Sequence, residues 1–319
     1  MGSLVDEILL KFDKFTKRVR LLPATFLVYF IIALSLWRDP PQEEALRIIC
    51  ESLSSLAPDF NILALPTKSA IFKARLKLGP DVLKELANRA LKPIAPLNAP
   101  EAWYKGMRLM SLDGSVFDVP DSTENATYFG YLSSSRGETA FPQLRLLSLI
   151  ETGSQVAGAG EVGQSKRSEQ ELTSILIDQE KFSPEMLALA DRNFYGYNLW
   201  KKACNTGANL FWRIKNNLNL PIKKRLPDKS FLSTVYDSRD KKNCIPIQVR
   251  VIEYKLKDNN GQDNDIIYRI ITNVLDYILA PANELAALYH ERWEIENVYG
   301  EIKVVLKGNS TIIRSKFQI

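Results

Sequence analysis

Residues 107–119 read MRLMSLDGSVFDV, and residues 186–191 read MLALAD. At the first of these stretches the texture of the chain changes. From Leu4 to about Pro100 apolar residues recur at spacings of three and four, which predicts an all-α module. From Met107 the periodicity is that of strands: Met107 to Val119, Leu144 to Glu151 and Gln155 to Glu161 are apolar-rich and separated by Gly, Ser and Pro turns. A polar helix from about Ser168 to Glu180 follows, then the short apolar run Met186 to Ala190 ending at Asp191, then a helix near Tyr197 to Asn205. The order βββαβα predicts a mixed α/β (α+β) fold.

Beyond this core, strands are expected at Leu210 to Lys215, Ile245 to Leu256 and Ile266 to Thr272, with polar loops between them. This piece is basic. Residues 201–260 carry 14 Lys and Arg against 5 Asp and Glu, a net of +9 in a chain whose formal charge is +5. A local cation excess suits a polyanion, because Lys and Arg at phosphates release condensed counterions. After Pro281 a long helix is expected to about Leu306, with Pro at its start and Gly308 just past its end.

Composition narrows the chemistry. An apolar share of 45% with 25% charged residues is that of a globular protein. Cys50, Cys204 and Cys244 are widely spaced and His290 is the sole histidine, which argues against a disulfide framework or a zinc site. A metal site would have to be built from carboxylates, and such hard oxygen ligands suit Mg²⁺ or Mn²⁺. The apolar run from Leu21 to Trp37 is shorter than the roughly 20 residues of a membrane span and contains Pro23, so a buried helix and a cytoplasmic protein are expected.

In the last helix Tyr289, Arg292, Glu296 and Lys303 lie at offsets of 0, 3, 7 and 14. At about 100° per residue they share an arc of roughly 60° that excludes Glu291, Glu294 and Glu301. Leu285, Leu288, Ile295, Val298 and Ile302 are available for a separate, buried stripe. The bland alternative for Arg292 and Glu296 is an exposed i,i+4 ion pair, in the less favourable orientation. Asp191 ends a short apolar strand and Asp113 lies within the first, in Leu112-Asp113-Gly114-Ser115; either alone reads equally as a turn or cap residue. Together, two Asp on core strands and a Glu on a later helix form a trio able to hold two metals for in-line displacement at phosphorus.

In the amino-terminal module Thr67 to Leu78 opens on a Thr cap, and a second helix starts at Pro80 after Gly79. Carrying Lys68, Lys73 and Arg75, the pair is either a DNA-reading unit like a helix-turn-helix or a plain helical hairpin. Trp212, Trp293, Phe194 and Tyr195 read as packing residues, with stacking on displaced bases as the alternative.

The spacing Tyr289, Arg292, Glu296, Lys303 resembles the Y-(2)-R-(3)-E-(6)-K signature of transposases of the bacterial insertion sequence 4 family. The stretches LDGSVFDVPDSTENATYFG from Leu112 and LADRNFYGYNLWKKACNTGANLFWRIK from Leu189 are similar to the segments carrying that family's first and second catalytic Asp. RLLPATFLVYFIIALSLWRDP from Arg20 and LPTKSAIFKARLKLGP from Leu65 are similar to the helical amino-terminal domain of one branch. The resemblance implies an RNase H-like core, residues 105–206 and 276–319, interrupted by a basic β-rich insertion, 207–275, and preceded by a helical domain, 1–104. It implies Asp113, Asp191 and Glu296 as ligands of two Mg²⁺ or Mn²⁺, and Tyr289, Arg292 and Lys303 as DNA contacts. It implies metal-dependent cleavage at the terminal inverted repeats of double-stranded transposon DNA, 3′-OH transfer to target DNA, a homodimer in the DNA complex, and association with the bacterial nucleoid. Family members usually continue further than the 16 residues that follow Lys303 here, so a truncated end-binding protein and a metal-dependent nuclease stand as alternatives.

Overall fold

The computed structural model describes residues 3–16, 22–36, 42–56, 66–134, 137–237, 239–240, 243–257, 263–291 and 299–300. The chain divides into two compact units, one built from the first 90 residues and Phe117–Gln143, the other from Leu91–Val116 and Leu144–Tyr299.

The first unit holds five helices: α1 (Leu4–Lys11), α2 (Ala24–Leu36), α3 (Gln42–Leu56), α4 (Lys68–Leu78) and α5 (Asp81–Ala90). The apolar run expected to be a buried helix is α2, whose Phe26, Leu27, Val28 and Phe30 lie in a core with Ile8, Leu46, Ile71 and Val82. Among the described residues no helix is long and apolar enough to cross a membrane. Thr67 caps α4 through its hydroxyl, which accepts from Ala70 N–H at 3.2 Å. Gly79, at φ +73°, turns the chain between α4 and α5 in a conformation that costs glycine little. The ion pairs Lys11–Glu85 (2.7 Å) and Arg89–Glu7 (2.8 Å) join α1 to α5. The same unit takes in α6 (Thr123–Phe129) and the small hairpin of β3 (Ser133–Ser134) and β4 (Gly137–Glu138), none of which the hydrophobic pattern announces.

The second unit is a ten-stranded sheet with helices on its faces. Its strands are β1 (Trp103–Tyr104), β2 (Met107–Asp118), β5 (Gln143–Glu151), β6 (Ala157–Gln164), β7 (Met186–Ala190), β8 (Asn209–Arg213), β9 (Lys224–Arg225), β10 (Phe231–Val235), β11 (Ile247–Lys257) and β12 (Asp263–Thr272). They lie in the order β6-β5-β2-β7-β8-β12-β11-β10-β9, with β1 against the start of β2. The central β2, β7 and β8 are parallel, and β5 and β6 are antiparallel to each other. The expected βββαβα order is present, with α7 (Glu169–Asp178) before β7 and α8 (Tyr197–Cys204) after it. Residues 207–275, expected as a basic β-rich insertion, continue the same sheet, since β8 pairs parallel with β7 and β12 antiparallel with β8.

Alternation along the strands divides the unit into two cores. Met110, Leu112, Ala188, Ala190, Leu210 and Trp212 face α7 and α8. Leu109, Leu187, Leu189 and Phe211 face the opposite way, with Leu285, Leu288 and Tyr289 of α9 (Ala282–Glu291).

Candidate active site

Parity assigns the two aspartates to one face. Arg108 pairs with Met186 and Ser111 with Leu189, an offset of 78 positions, and Asp113 and Asp191 are also 78 apart. They therefore stand at the same level of neighbouring parallel strands, whose backbones run about 4.8 Å apart. Both continue the odd-numbered series of Leu109 and Leu189, the face that α9 covers. The next strand continues the row: Leu187 pairs with Asn209 and Ala190 with Trp212, an offset of 22, which brings Arg213 opposite Asp191. Arg213 Nη1 lies 3.9 Å from Asp191 Oδ1, and its guanidinium sits over the Tyr268 ring at 4.4 Å.

That distance is an ion pair, too long for a hydrogen bond. Asp191 Oδ1 is buried with no hydrogen-bond donor among the described residues. A buried carboxylate oxygen left unsatisfied calls for a partner, and with Asp113 alongside, the donor set is the all-oxygen kind that suits Mg²⁺ or Mn²⁺. Among the described residues no group of three or more His, Cys, Asp and Glu side chains could hold a metal ion. The third expected ligand, Glu296, lies outside those residues, as do Arg292, Lys303 and Trp293.

Two tyrosines reach this row from the carboxyl-terminal side. Tyr289 points its hydroxyl at the carbonyl of Ala190 from 3.5 Å, the far limit of such a bond, and Tyr299 donates to the carbonyl of Asp113 at 2.8 Å. Burial pushes the Tyr299 phenol well above its ordinary pKa, so it remains a donor. Tyr289 is only 1% exposed, packs edge-on to Phe211 and shares a core with Leu285 and Leu288. Beside it His290 packs against Tyr254 and Tyr268. Burial, and then the Arg213 charge, lower the pKa of His290, which keeps the imidazole neutral near pH 7.

Further residues at the strand ends were invisible in the sequence. Glu169, the first residue of α7, lies over Gly114 so closely that a Cβ at position 114 would come within 2.8 Å of its Cγ. Burial raises the Glu169 pKa, Arg145 at 3.4 Å opposes that, and the Asp191 charge adds to it. Gln170 donates to the carbonyls of Asn193 (2.9 Å) and Tyr195 (3.2 Å), holding the loop after Asp191. Arg213, Glu169 and Gln170 carry no local motif; only strand register and helix packing bring them here.

The aromatics settle toward packing. Trp212 and Phe194 are buried in the α7 and α8 core, Trp212 edge-on to Trp200 at 5.2 Å, and so are not available to stack on a base; Tyr195 is half-buried against the same core. In the amino-terminal unit Lys68 and Lys73 on α4 are exposed, whereas Arg75 is half-buried and its pKa is lowered by that burial. Cys50, Cys204 and Cys244 are not joined in disulfides.

Comparison with known proteins follows this geometry. The profile of the family described as Transposase DDE domain matches residues 104–318, and that described as Insertion element 4 transposase N-terminal matches residues 2–88. The chain is 25% identical over 328 aligned positions to "Transposase InsG for insertion sequence element IS4" of Escherichia coli (strain K12), covering 98% of this chain and 69% of that protein. Among solved structures it is similar to the piggyBac transposase in its synaptic complex with hairpin DNA, at 11% identity and a TM-score of 0.44. That match covers 94% of this chain, which spans less than two thirds, 64%, of the piggyBac chain.

Proposed function

Because the chain belongs to the insertion sequence 4 family of DDE transposases, we propose that it cleaves DNA at the ends of its element and transfers the freed 3′-OH to target DNA. Asp113, Asp191 and Glu296 act as the carboxylates of this site, holding two Mg²⁺ or Mn²⁺. The metals would supply the activated water or hydroxyl and stabilise the leaving oxygen. The observation that carries the reading is the registered pair Asp113 and Asp191, just past the last paired residues of β2 and β7, bracketed by Tyr289 on the Ala190 carbonyl and Tyr299 on that of Asp113. Glu296 lies between these two tyrosines in sequence, three residues before Tyr299.

In this reading the side chains divide the work. Asp113 and Asp191 would hold the metals, Arg213 orients Asp191, and Tyr289 and Tyr299 engage the backbone beside each aspartate. Arg292 and Lys303 grip phosphates of the transposon end, the first through a bidentate fork and the second as a point charge. Lys68, Lys73 and Arg75 add backbone contacts to the duplex. The partners are double-stranded DNA carrying the terminal inverted repeats, the target duplex, and a second copy of the chain in the paired complex.

The test is to incubate purified protein with Mg²⁺ or Mn²⁺ and DNA carrying the element's ends. Nicked and then joined products are expected, both abolished by Asp113→Ala. Nicks without joining would make the protein a nuclease, and binding with neither would overturn the catalytic assignment.

A further inference from the structure

Helix α9, which carries Tyr289 and leads toward Glu296, begins without a local cap. The position before Ala282 is Pro281, which has no side-chain acceptor for the orphan N–H groups of the first turn. A carboxylate from 54 positions earlier takes that place: Ala282 N–H donates to Asp228 Oδ2 at 3.0 Å. The negative charge stands where a helix N-terminus favours one.

Asp228 is in turn fixed by Arg250, a guanidinium with 0% exposure at the middle of β11. Arg250 pairs with Asp228 through Nη2 and donates through Nε to Ser230 Oγ at 2.8 Å. Its Nη1 donates to the Ala280 carbonyl at 2.7 Å and also faces the Asp276 carbonyl at 3.4 Å. Ser230 closes the ring by donating its hydroxyl to Asp228 Oδ1 at 2.6 Å. The guanidinium's donors are thus spent on the turn that leads into α9 and on the carboxylate that caps it. Arg250 stands in register with Leu232 near the start of β10 and with Thr272 at the end of β12, so this clasp is anchored where those strands meet the turn into α9.

We infer that Asp228 and Arg250 are positioning residues for catalysis: they set the starting point and axial register of α9 against the strand ends that carry Asp113 and Asp191. The segment that carries Asp228 and Arg250 then has a task besides any contact with DNA, which is to hold α9 in place. A buried ion pair is a poor source of net stability but a sharp geometric constraint, since either charge left alone in the interior is strongly disfavoured. This inference deepens the proposed function and rests on it for its catalytic part alone.

The full-length chain carrying Asp228→Asn, which keeps the size and an acceptor but loses the charge, is compared with wild type by two measurements. Hydrogen exchange is expected to rise about tenfold or more in the peptide covering residues 282–291, while β7 and β8 keep their protection. Cleavage per bound complex is expected to fall about tenfold or more in Mg²⁺ with end affinity within about twofold, and to recover in part with Mn²⁺, because Mg²⁺ demands near-ideal geometry. Unchanged exchange at 282–291, loss of protection across the whole sheet, or binding and cleavage falling together would overturn the inference. Should Asp228→Asn not fold, Arg250→Lys is read by the same measurements, as an ammonium keeps the charge but not the fork. If wild-type protein cleaves nothing, the proposed function falls, and the exchange result still decides whether the clasp exists.

Discussion

Asp113 and Asp191 occupy equivalent levels of two adjacent parallel strands, so a single sheet register presents both carboxylates to the face that α9 covers. Losing either should remove several kcal/mol of transition-state stabilisation, which corresponds to about 10³-fold or more in rate. Asp113→Asn and Asp191→Asn are expected to keep DNA end binding and fold while product formation drops to background. Gel-shift and cleavage assays on the same preparations check this, and a variant retaining a tenth of wild-type cleavage would remove that carboxylate from the site.

Arg213 competes with any cation for Asp191. Its Nη1 is 3.9 Å from Asp191 Oδ1, and both side chains are about a quarter exposed (22% and 28%). Discounted for solvent, the competition is worth about 1 kcal/mol, or roughly fivefold in affinity. Arg213→Gln is therefore expected to lower the Mg²⁺ concentration that half-saturates cleavage by about that factor. A titration showing the half-point unmoved or raised would mean that Arg213 serves Asp191 only as a scaffold.

Gly114 and Glu169 share one space. Gly114→Ala forces the Glu169 side chain out of contact, an overpacking that costs about 1–3 kcal/mol. Adding Glu169→Ala to it should return most of the lost stability, which a double-mutant cycle of thermal midpoints measures. Additive losses would show that the crowding lies elsewhere.

Glu151 makes the fold sensitive to acid. Its carboxylate is fully buried and accepts from Ile94 N–H (3.0 Å), Ala95 N–H (2.9 Å), Ser154 Oγ (2.6 Å) and the Arg108 guanidinium. Burial pushes its pKa up, yet these donors together outweigh burial and hold the carboxyl below its usual range. The folded value lies under the unfolded one, so the stabilisation is complete above about pH 4.3 and disappears as pH falls through the depressed folded value. Glu151→Gln is expected to cost about 3 kcal/mol at pH 7. The gap between the two urea midpoints should close at low pH, and a gap independent of pH would contradict this account.

Lys73 and Arg75 are neighbours on α4 with different prospects. Lys73 is exposed, and if it meets a phosphate, Lys73→Ala lowers the slope of log affinity against log salt by about 0.9 without changing the melting temperature. Arg75 is half-buried, so Arg75→Ala should lower both. An unaltered slope for Lys73→Ala would return α4 and α5 to a plain helical hairpin.

Much of the architecture was legible because its signals are local. The run Met186 to Ala190 is strand β7, ending one residue before Asp191 as read, and Thr67 caps α4 as its position before the apolar series suggests. Strand β10, Phe231–Val235, escaped notice because its neighbourhood is rich in Lys, Pro and Asp, and its place is secured by pairing with β11. Tyr289 follows Leu285 by four residues, about 40° away on the wheel, so the two share a helix face; a tyrosine ring is largely apolar, and its hydroxyl finds an acceptor inside the fold. Arg213, Glu169 and the Asp228–Arg250 clasp depend on contacts between distant segments, which no periodicity records.

The hydrogen bond from Tyr299 to the Asp113 carbonyl joins positions 186 apart in sequence. Such a contact closes a very long loop, so it forms late, after the local helices and the neighbouring strands are in place. A growing polypeptide emerging from the ribosome would shape its sheet and present both aspartates well before residue 299 arrives.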